Sequence, residues 1–126
     1  MLSDRPLPEP YPELIARRFA ALADPTRIRM LDALHLNEEL SVTELARQLG
    51  AGHANVSKHL TVMHAQRIVA RRKQGAAVIY RIADPAVLAL CEAVCGGIRQ
   101  ELRDLEALLE PHGGGGPTTD TTEGIR

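Results

Sequence analysis

Aromatic residues are scarce in this chain of 126 residues, which has no tryptophan, two tyrosines and one phenylalanine. Proteins that bind single-stranded nucleic acid need rings on which bases stack, so the composition argues against that class. The core must be built from Leu, Ile, Val, Met and Ala. No apolar run approaches the roughly 20 residues that cross a bilayer, and the first residues lack the apolar stretch of a signal peptide. We therefore expect a cytoplasmic protein that has no membrane partner.

Acidic residues are absent from Leu45 to Ala83, a segment that contains seven basic residues and is called the basic block below. The rest of the chain has eight basic and sixteen acidic residues, so the net charge of −1 conceals a strong asymmetry. The basic block suits a polyanion, and the acidic remainder would repel one, which favours a single binding face. The alternative is a solvated surface on which charges of one sign happen to cluster.

Both ends of the chain are poor in the apolar surface that offsets the entropy of ordering. Three prolines occur in the first ten residues, and Gly and Thr dominate the last sixteen. We therefore expect a flexible tail over residues 1–10 and a disordered Gly/Thr-rich tail over residues 111–126. The domain between them, residues 11–110, is long enough for one modest core.

Four helices are predicted before residue 67. Apolar spacing indicates an amphipathic helix at about Glu13–Ala23. Asp24-Pro25 then combines an N-cap residue with a proline at the first helical position, which starts a second helix. Ser41-Val42-Thr43-Glu44 is a capping-box pattern that opens a third helix, ended at Gly50. The fourth runs from about His53 to Gln66.

The third and fourth helices, with a glycine-containing turn between them, form a helix-turn-helix arrangement. In the fourth helix Val56, Leu60 and Met63 are spaced to face the core. Its other side presents polar and basic side chains that can bond base edges or phosphates in the major groove of DNA. These outward residues are His53, Asn55, Ser57, Lys58 and Thr61; His59, which lies on or beside the same helix, is a sixth candidate DNA-binding residue.

Two runs of alternating apolar residues, Ile68–Lys73 and Ala76–Ile82, predict a β-hairpin with Gln74-Gly75 as its turn. Three consecutive basic residues are expected at its tip: Arg71, Arg72 and Lys73. There they would lie along the DNA backbone or enter the adjacent minor groove. Such contacts supply affinity rather than sequence choice.

A long helix is predicted to start at Asp84-Pro85, with apolar residues every three or four positions over roughly six turns. These are Val87, Cys91, Val94, Ile98, Leu102, Leu105 and Leu109. The stripe is longer than a domain of this size can cover, so we expect the same helix of a second subunit to cover the surplus. The alternative is a helix that lies wholly against its own core.

Four strings, in this order and spacing, resemble the ArsR/SmtB family of bacterial winged-helix repressors. They are Phe19–Ile28, Ser41–Ala46, Val56–Leu60 and Val78–Ile82. The resemblance implies a mainly α fold with a small β-hairpin wing, in the order helix, helix, helix-turn-helix, hairpin, long helix. It also implies a homodimer joined by its first and last helices. Such a dimer represses an operon by occupying double-stranded operator DNA, and an inducer releases it. Its symmetry favours an inverted-repeat operator.

The resemblance also places the family's sensor sites, and their ligands are missing from this chain. Ser41–Leu45 contains no thiol where arsenic-sensing members have Cys-x-Cys. The four positions of the zinc site on the last helix are occupied by Asp84, Ala86, Gly97 and Gln100. Because Zn²⁺ needs about four N, S or O donors, this set cannot hold it. Asp84 is better explained as a helix cap.

Cys91 and Cys95, the two cysteines of the chain, lie four residues apart on one face of the last helix. Two thiolates from each of two subunits could bind a thiophilic metal or metalloid ion, or form a disulfide between chains. The alternative is that both thiols only fill a helix seam, in a regulator without metal or redox sensing.

Two other classes of function compete with a DNA-binding repressor. An enzyme with a cysteine nucleophile needs a base within hydrogen-bond reach, and no histidine lies near Cys91 or Cys95 in the sequence, so we expect no enzyme. A protein-interaction module could use the long helix without contacting DNA. The basic block argues against that alternative.

Overall fold

The computed structural model describes residues 4–110; the tail expected over residues 111–126 lies outside the described residues. Within the described range the chain forms two compact units, residues 4–85 and residues 86–110. In the described part of the first unit the elements are α1 (Tyr11–Leu22), α2 (Pro25–Asn37), β1 (Leu40–Ser41), α3 (Val42–Leu49), α4 (His53–Ala65), β2 (Val69–Gln74) and β3 (Ala77–Ile82). The second unit contains α5 (Pro85–Leu109), apart from its first residue. Residues 4–10, where a flexible tail is expected, contain no helix or strand.

The core of the first unit is aliphatic, as the scarcity of aromatic residues predicts. Its largest fully buried side chains are Met30, Leu31, Leu34, Leu45, Val56, Leu60, Met63, Ile68 and Val69. One aromatic side chain, that of Tyr80, is buried with them. The three apolar residues of α4 predicted to face the core are all in this set. The opposite side of α4 is therefore the side presented to solvent.

Side-chain caps fix the starts of α2 and α3. The carboxylate of Asp24 accepts a hydrogen bond from the Arg27 backbone N–H at 3.0 Å. The capping box is confirmed, because Ser41 Oγ accepts from the Glu44 N–H at 3.0 Å and Glu44 Oε1 accepts from the Ser41 N–H at 2.8 Å. Gly50 ends α3 with a φ of 63°, a left-handed conformation that glycine adopts without strain.

The described residues form a three-stranded antiparallel sheet with strand order β1-β3-β2, so the prediction of a two-stranded hairpin is incomplete. Strand β1 has two residues, with Leu40 opposite Tyr80 and Ser41 opposite Ile79. A strand this short shows no alternation of apolar residues, which is why the sequence pattern does not predict it.

The hairpin turn lies one residue later than predicted, at Gly75 and Ala76. Gly75 has a φ of 63°, and Gln74 pairs with Ala77 as the last residue of β2. The basic residues of the hairpin are therefore not at its tip, and that prediction is wrong. Arg71 lies within the strand, opposite Tyr80, and its two successors lie opposite Ile79 and Val78.

Apolar side chains remain exposed on the first and last helices. On α1, Tyr11, Leu14 and Phe19 are about half exposed. On α5, a stripe of side chains is a little more than half exposed: Val94, Ile98, Leu102 and Leu105. Within residues 4–110, no helix is long and apolar enough to span a membrane.

Candidate nucleic-acid interface

The outward side of α4 gathers five of the six DNA-binding residues predicted on that helix. His53, Asn55, Lys58 and Thr61 are exposed and Ser57 is half-buried. Thr61 Oγ1 donates to the Ser57 carbonyl at 2.9 Å, so its hydroxyl presents lone pairs to solvent. The rest of this surface presents an amide, an imidazole and an ammonium group, which together include donors and acceptors suited to base edges.

A groove of about 520 Å³ lies between α4, the start of α3 and the sheet. Residues of α4, of the α3 start and of the sheet line it: His53, Ser57 and Thr61; Ser41, Val42 and Thr43; Arg71, Arg72, Lys73, Ala76, Ala77, Val78 and Tyr80. Three polar residues of the helix and three basic residues of the hairpin therefore share one concave surface. No acidic residue lines this groove, which favours an anionic partner.

Strand alternation separates the three basic residues of β2. Arg71 and Lys73 lie on one face of the strand and Arg72 on the other, because successive side chains of a strand point to opposite faces. Arg71 Nη1 lies 3.5 Å from Tyr80 Oη, a long contact that leaves its other N–H groups exposed to solvent.

Arg72 has an intramolecular partner that sequence patterns did not predict. Its Nη2 donates to Glu39 Oε1 at 2.7 Å, and its Nε donates to Glu39 Oε2 at 3.4 Å. The hydrogen bond from Arg72 is the main cause that lowers the pKa of Glu39. Both groups are exposed, so salt screens the pair. In the free protein the Glu39 carboxylate therefore partly neutralises the charge of Arg72. Glu39 lies outside the basic block and 33 residues from Arg72, so no local pattern joins them.

His59, the sixth predicted DNA contact on α4, is placed apart from the other five. Its Nδ1 accepts a hydrogen bond from Arg27 Nε at 3.0 Å, and its side chain is only 16% exposed. The structure therefore gives the ring an internal partner and leaves little of it accessible to DNA. A sequence signal for this placement existed, because His59 follows the buried Val56 by three residues and precedes the buried Met63 by four.

The two thiols of α5 differ in their surroundings. Cys91 is half-buried, and burial raises the pKa of its thiol. Cys95 is exposed, and Arg99 Nη2 donates to its sulfur at 3.1 Å. Among residues 4–110, no group of three or more His, Cys, Asp or Glu side chains is close enough to hold a metal ion. Within this range, a metal site at the thiols would need ligands from a second subunit.

The fold and this surface define a winged helix-turn-helix DNA-binding protein, with α3 and α4 as the helix-turn-helix and β2–β3 as the wing. Comparisons with known proteins agree. Residues 22–72 match a family model described as a helix-turn-helix domain. An uncharacterised HTH-type transcriptional regulator of Mycobacterium tuberculosis, Rv0081, is 37% identical over 112 residues, which cover 88% of this chain and 97% of that protein.

Two further relatives connect the chain to a named family. A homologue of the transcriptional repressor SmtB from Synechocystis is 36% identical over 86 residues, covering 68% of this chain and 64% of that protein. The solution structure of a homodimeric winged helix-turn-helix DNA-binding domain from Mycobacterium bovis, a possible ArsR-family regulator, has a TM-score of 0.68 and 29% identity. It covers 80% of this chain and 91% of that one.

The chain belongs to the ArsR/SmtB family of transcription regulators. The resemblance in the four sequence strings is thereby confirmed, together with the winged helix-turn-helix fold. The protein is a dimeric DNA-binding regulator of transcription, and its partners are DNA and a second copy of the chain.

Proposed function

We propose that the protein represses transcription by binding an inverted-repeat operator, with the α4 helix of each subunit in one of two successive major grooves. The observation that carries this proposal is the shared groove, in which the polar side of α4 and the basic strand β2 line one surface. A duplex whose major groove receives α4 brings its phosphates toward the wing. One rigid docking would thus supply both base contacts and backbone contacts.

We assign recognition of the operator's base sequence to the exposed side chains of α4. The Asn55 amide has the donor and acceptor that pair bidentately with adenine, and the Lys58 ammonium can donate to guanine or to a phosphate. Ser57, His53 and Thr61 line the groove beside them and can bond either base edges or phosphate oxygens.

We assign the contacts with DNA phosphates to the basic residues of the wing, which contribute unequally to DNA affinity. Arg71 and Lys73 lie on one face of β2 and line the groove. Arg72 is held by Glu39, so it contributes less to DNA affinity than either neighbour. The backbone contacts raise affinity for every duplex without selecting among sequences.

Dimerisation is assigned to α1 and α5, the two helices with exposed apolar side chains. Covering these side chains with a second copy removes apolar surface from water, which stabilises the dimer. A two-fold axis then relates two α4 helices. Such a dimer would read two half-sites about one helical turn of DNA apart.

Changing Lys58 to alanine is expected to alter which operator the protein prefers while retaining binding to DNA. The wild-type protein and the Lys58→Ala variant are each used to select duplexes from a random pool, and the enriched sequences are compared. We expect both proteins to select an inverted repeat. The variant should differ from the wild type in its preferred base at one or two positions, the same in each half-site. At those positions the variant should lose about 1–3 kcal/mol of its preference for the wild-type base. Identical selected sequences would contradict the assignment of Lys58. Sequences without two-fold symmetry would contradict the proposed function.

The proposed inducer acts at the thiols of α5. A thiophilic metal or metalloid ion bound by thiolates of both subunits, or an oxidant that reacts with Cys95, would change the dimer and release the operator. The position of both thiols on the side of α5 that carries the exposed apolar stripe supports this assignment, because a second copy on that side would bring four thiols together. Release by such an agent from the wild-type protein, and its loss in the Cys91→Ser/Cys95→Ser double variant, is the expected result in an operator-binding assay. If the double variant is released like the wild type, the inducer does not act at these thiols.

In the monomeric Leu102→Glu background, where no second subunit covers α5, Cys95 is expected to react with iodoacetamide several times faster than Cys91 near neutral pH. The thiolate is the reacting form, and a pKa raised by burial means a smaller thiolate fraction on Cys91. The rates are measured by intact mass on the single variants Cys91→Ser and Cys95→Ser, each of which keeps one thiol. The rate at Cys91 should still be rising with pH above the usual thiol range. Equal rates and equal pH profiles would contradict the difference in surroundings.

A further inference from the structure

Arg27 connects α4 to the junction of α1 and α2. Its Nε donates to His59 Nδ1 at 3.0 Å and its Nη1 donates to the Ala21 carbonyl at 3.3 Å. The backbone N–H of the same residue is held by the Asp24 carboxylate. The Arg27 side chain therefore joins the His59 ring of α4 to the end of α1. The cap of α2 in turn fixes the backbone position of Arg27.

The chemistry of this contact determines the protonation state of His59. An arginine side chain has donors and no acceptor, and it does not lose its proton in proteins. The Nδ1 atom must therefore be unprotonated to accept from Arg27, and the ring is neutral with its proton on Nε2. A proton added at Nδ1 would remove the acceptor and place two cations in contact.

Asp24 offers a competing arrangement after protonation. Its Oδ2 lies 4.0 Å from His59 Nδ1, which is too far for a hydrogen bond but near enough to attract a charged ring. Since the same Oδ2 caps α2 through the Arg27 N–H, movement of the ring toward Asp24 would compete with that cap. Protonation would thus replace the hydrogen bond from Arg27 with attraction to Asp24 and change the contact that joins α4 to α2.

Other charged groups do not share this contact. Helix α4 packs mainly against α1, α2, α3 and β2. Within residues 4–110, no ion pair joins the ring to the other charged side chains of these elements, of β3 or of α4 itself. Those side chains are Glu13, Arg17, Arg18, Arg29, Asp32, Glu44, Arg47, Lys58, Arg71, Arg72, Lys73 and Arg81.

We propose that His59 is a positioning residue for DNA binding: its unprotonated ring, held by Arg27, sets the placement of α4, and its protonation weakens operator binding. This inference rests on the proposed function, because it takes α4 as the helix that enters the major groove. His59 itself does not contact DNA. Operator binding is therefore expected to weaken when acid protonates the ring.

His53 gives the opposite dependence on pH and must be separated from His59. It is exposed in the groove, so its protonation adds a positive charge beside the DNA phosphates and tightens binding. The test therefore uses the His53→Gln variant as its background. In that background, a loss of operator affinity as the pH is lowered is assigned to His59.

The experiment compares three proteins on one duplex, the sequence that the wild-type protein enriches from a random pool. His53→Gln is expected to lose affinity about tenfold between about pH 7.5 and about pH 5.5. Adding His59→Asn, whose Oδ1 replaces Nδ1 as an acceptor that does not titrate, should restore a flat profile. Adding His59→Phe should give weak binding at both pH values. Each variant is first checked for an unchanged melting temperature at about pH 7.5.

Two results would overturn the inference. The first is a profile of the His59→Asn protein as steep as that of its background. The second is a nitrogen NMR spectrum of the free protein, at about pH 7.5, in which His59 Nδ1 carries the proton. If no protein binds the selected duplex, the proposed function fails, and the NMR measurement still decides whether the hydrogen bond from Arg27 holds the ring neutral.

Discussion

Replacing Leu102 with glutamate should leave the protein monomeric at micromolar concentrations and reduce operator affinity at least about a hundredfold. Leu102 lies in the middle of the exposed apolar stripe of α5 and is 56% exposed. A carboxylate buried without a partner in a dimer interface costs several kcal/mol, and each 1.4 kcal/mol is about a factor of ten in affinity. A monomer also loses the second half-site. Sedimentation velocity gives the oligomeric state, and fluorescence anisotropy gives the affinity.

The matched control is Leu36→Glu. Leu36, at the end of α2, is 72% exposed and belongs to neither helix assigned to the dimer. The same chemical change there should leave both the dimer and operator binding intact. If Leu36→Glu dissociates the dimer and Leu102→Glu does not, the assignment of the interface to α5 is wrong.

Replacing Arg71 with alanine should weaken binding to selected and unselected duplexes alike, by about tenfold at about 50 mM salt. The expected cause is that each subunit neutralises one phosphate fewer. The slope of log affinity against log salt should become shallower by about one for each phosphate that is no longer neutralised, or about two per dimer. Anisotropy titrations between about 50 and about 200 mM salt measure both quantities.

Arg72 supplies the control on the same strand. Since Glu39 already holds its guanidinium, Arg72→Ala should reduce affinity less than Arg71→Ala does. Glu39→Gln removes the opposing charge and should raise affinity for every duplex. Equal losses from the two arginine variants, with no gain from Glu39→Gln, would show that the ion pair does not limit the use of Arg72.

Local sequence signals were sufficient for the helix-turn-helix. The capping box at Ser41 and Glu44 and the stop at Gly50 are interactions among near neighbours, so their patterns are visible in the chain. The apolar spacing of α4 likewise predicted its buried side. The spacing of apolar residues alone suggested a hairpin and a second subunit. The strings that resemble the ArsR/SmtB family identified the hairpin as a wing and predicted a homodimer.

Contacts between distant segments could not be predicted in the same way. Glu39 and Arg72 are 33 residues apart, and Arg27 and His59 are 32 apart, so each pair meets only after the chain has folded. The hydrogen bond between His59 and Arg27 was therefore not predicted, because it depends on where α2 packs. Strand β1 was missed for a related reason, since its two residues are identified by their pairing with β3.

Dimethyl sulfate protection on the selected duplex tests the central claim most directly, because the reagent methylates guanine N7 in the major groove and adenine N3 in the minor groove. With α4 of each subunit in a major groove, the wild-type protein should protect guanine N7 atoms in two clusters, on one face of the duplex and about one helical turn apart. Binding that leaves every guanine N7 reactive, or that protects a single cluster, would contradict a dimer that reads two major grooves with α4.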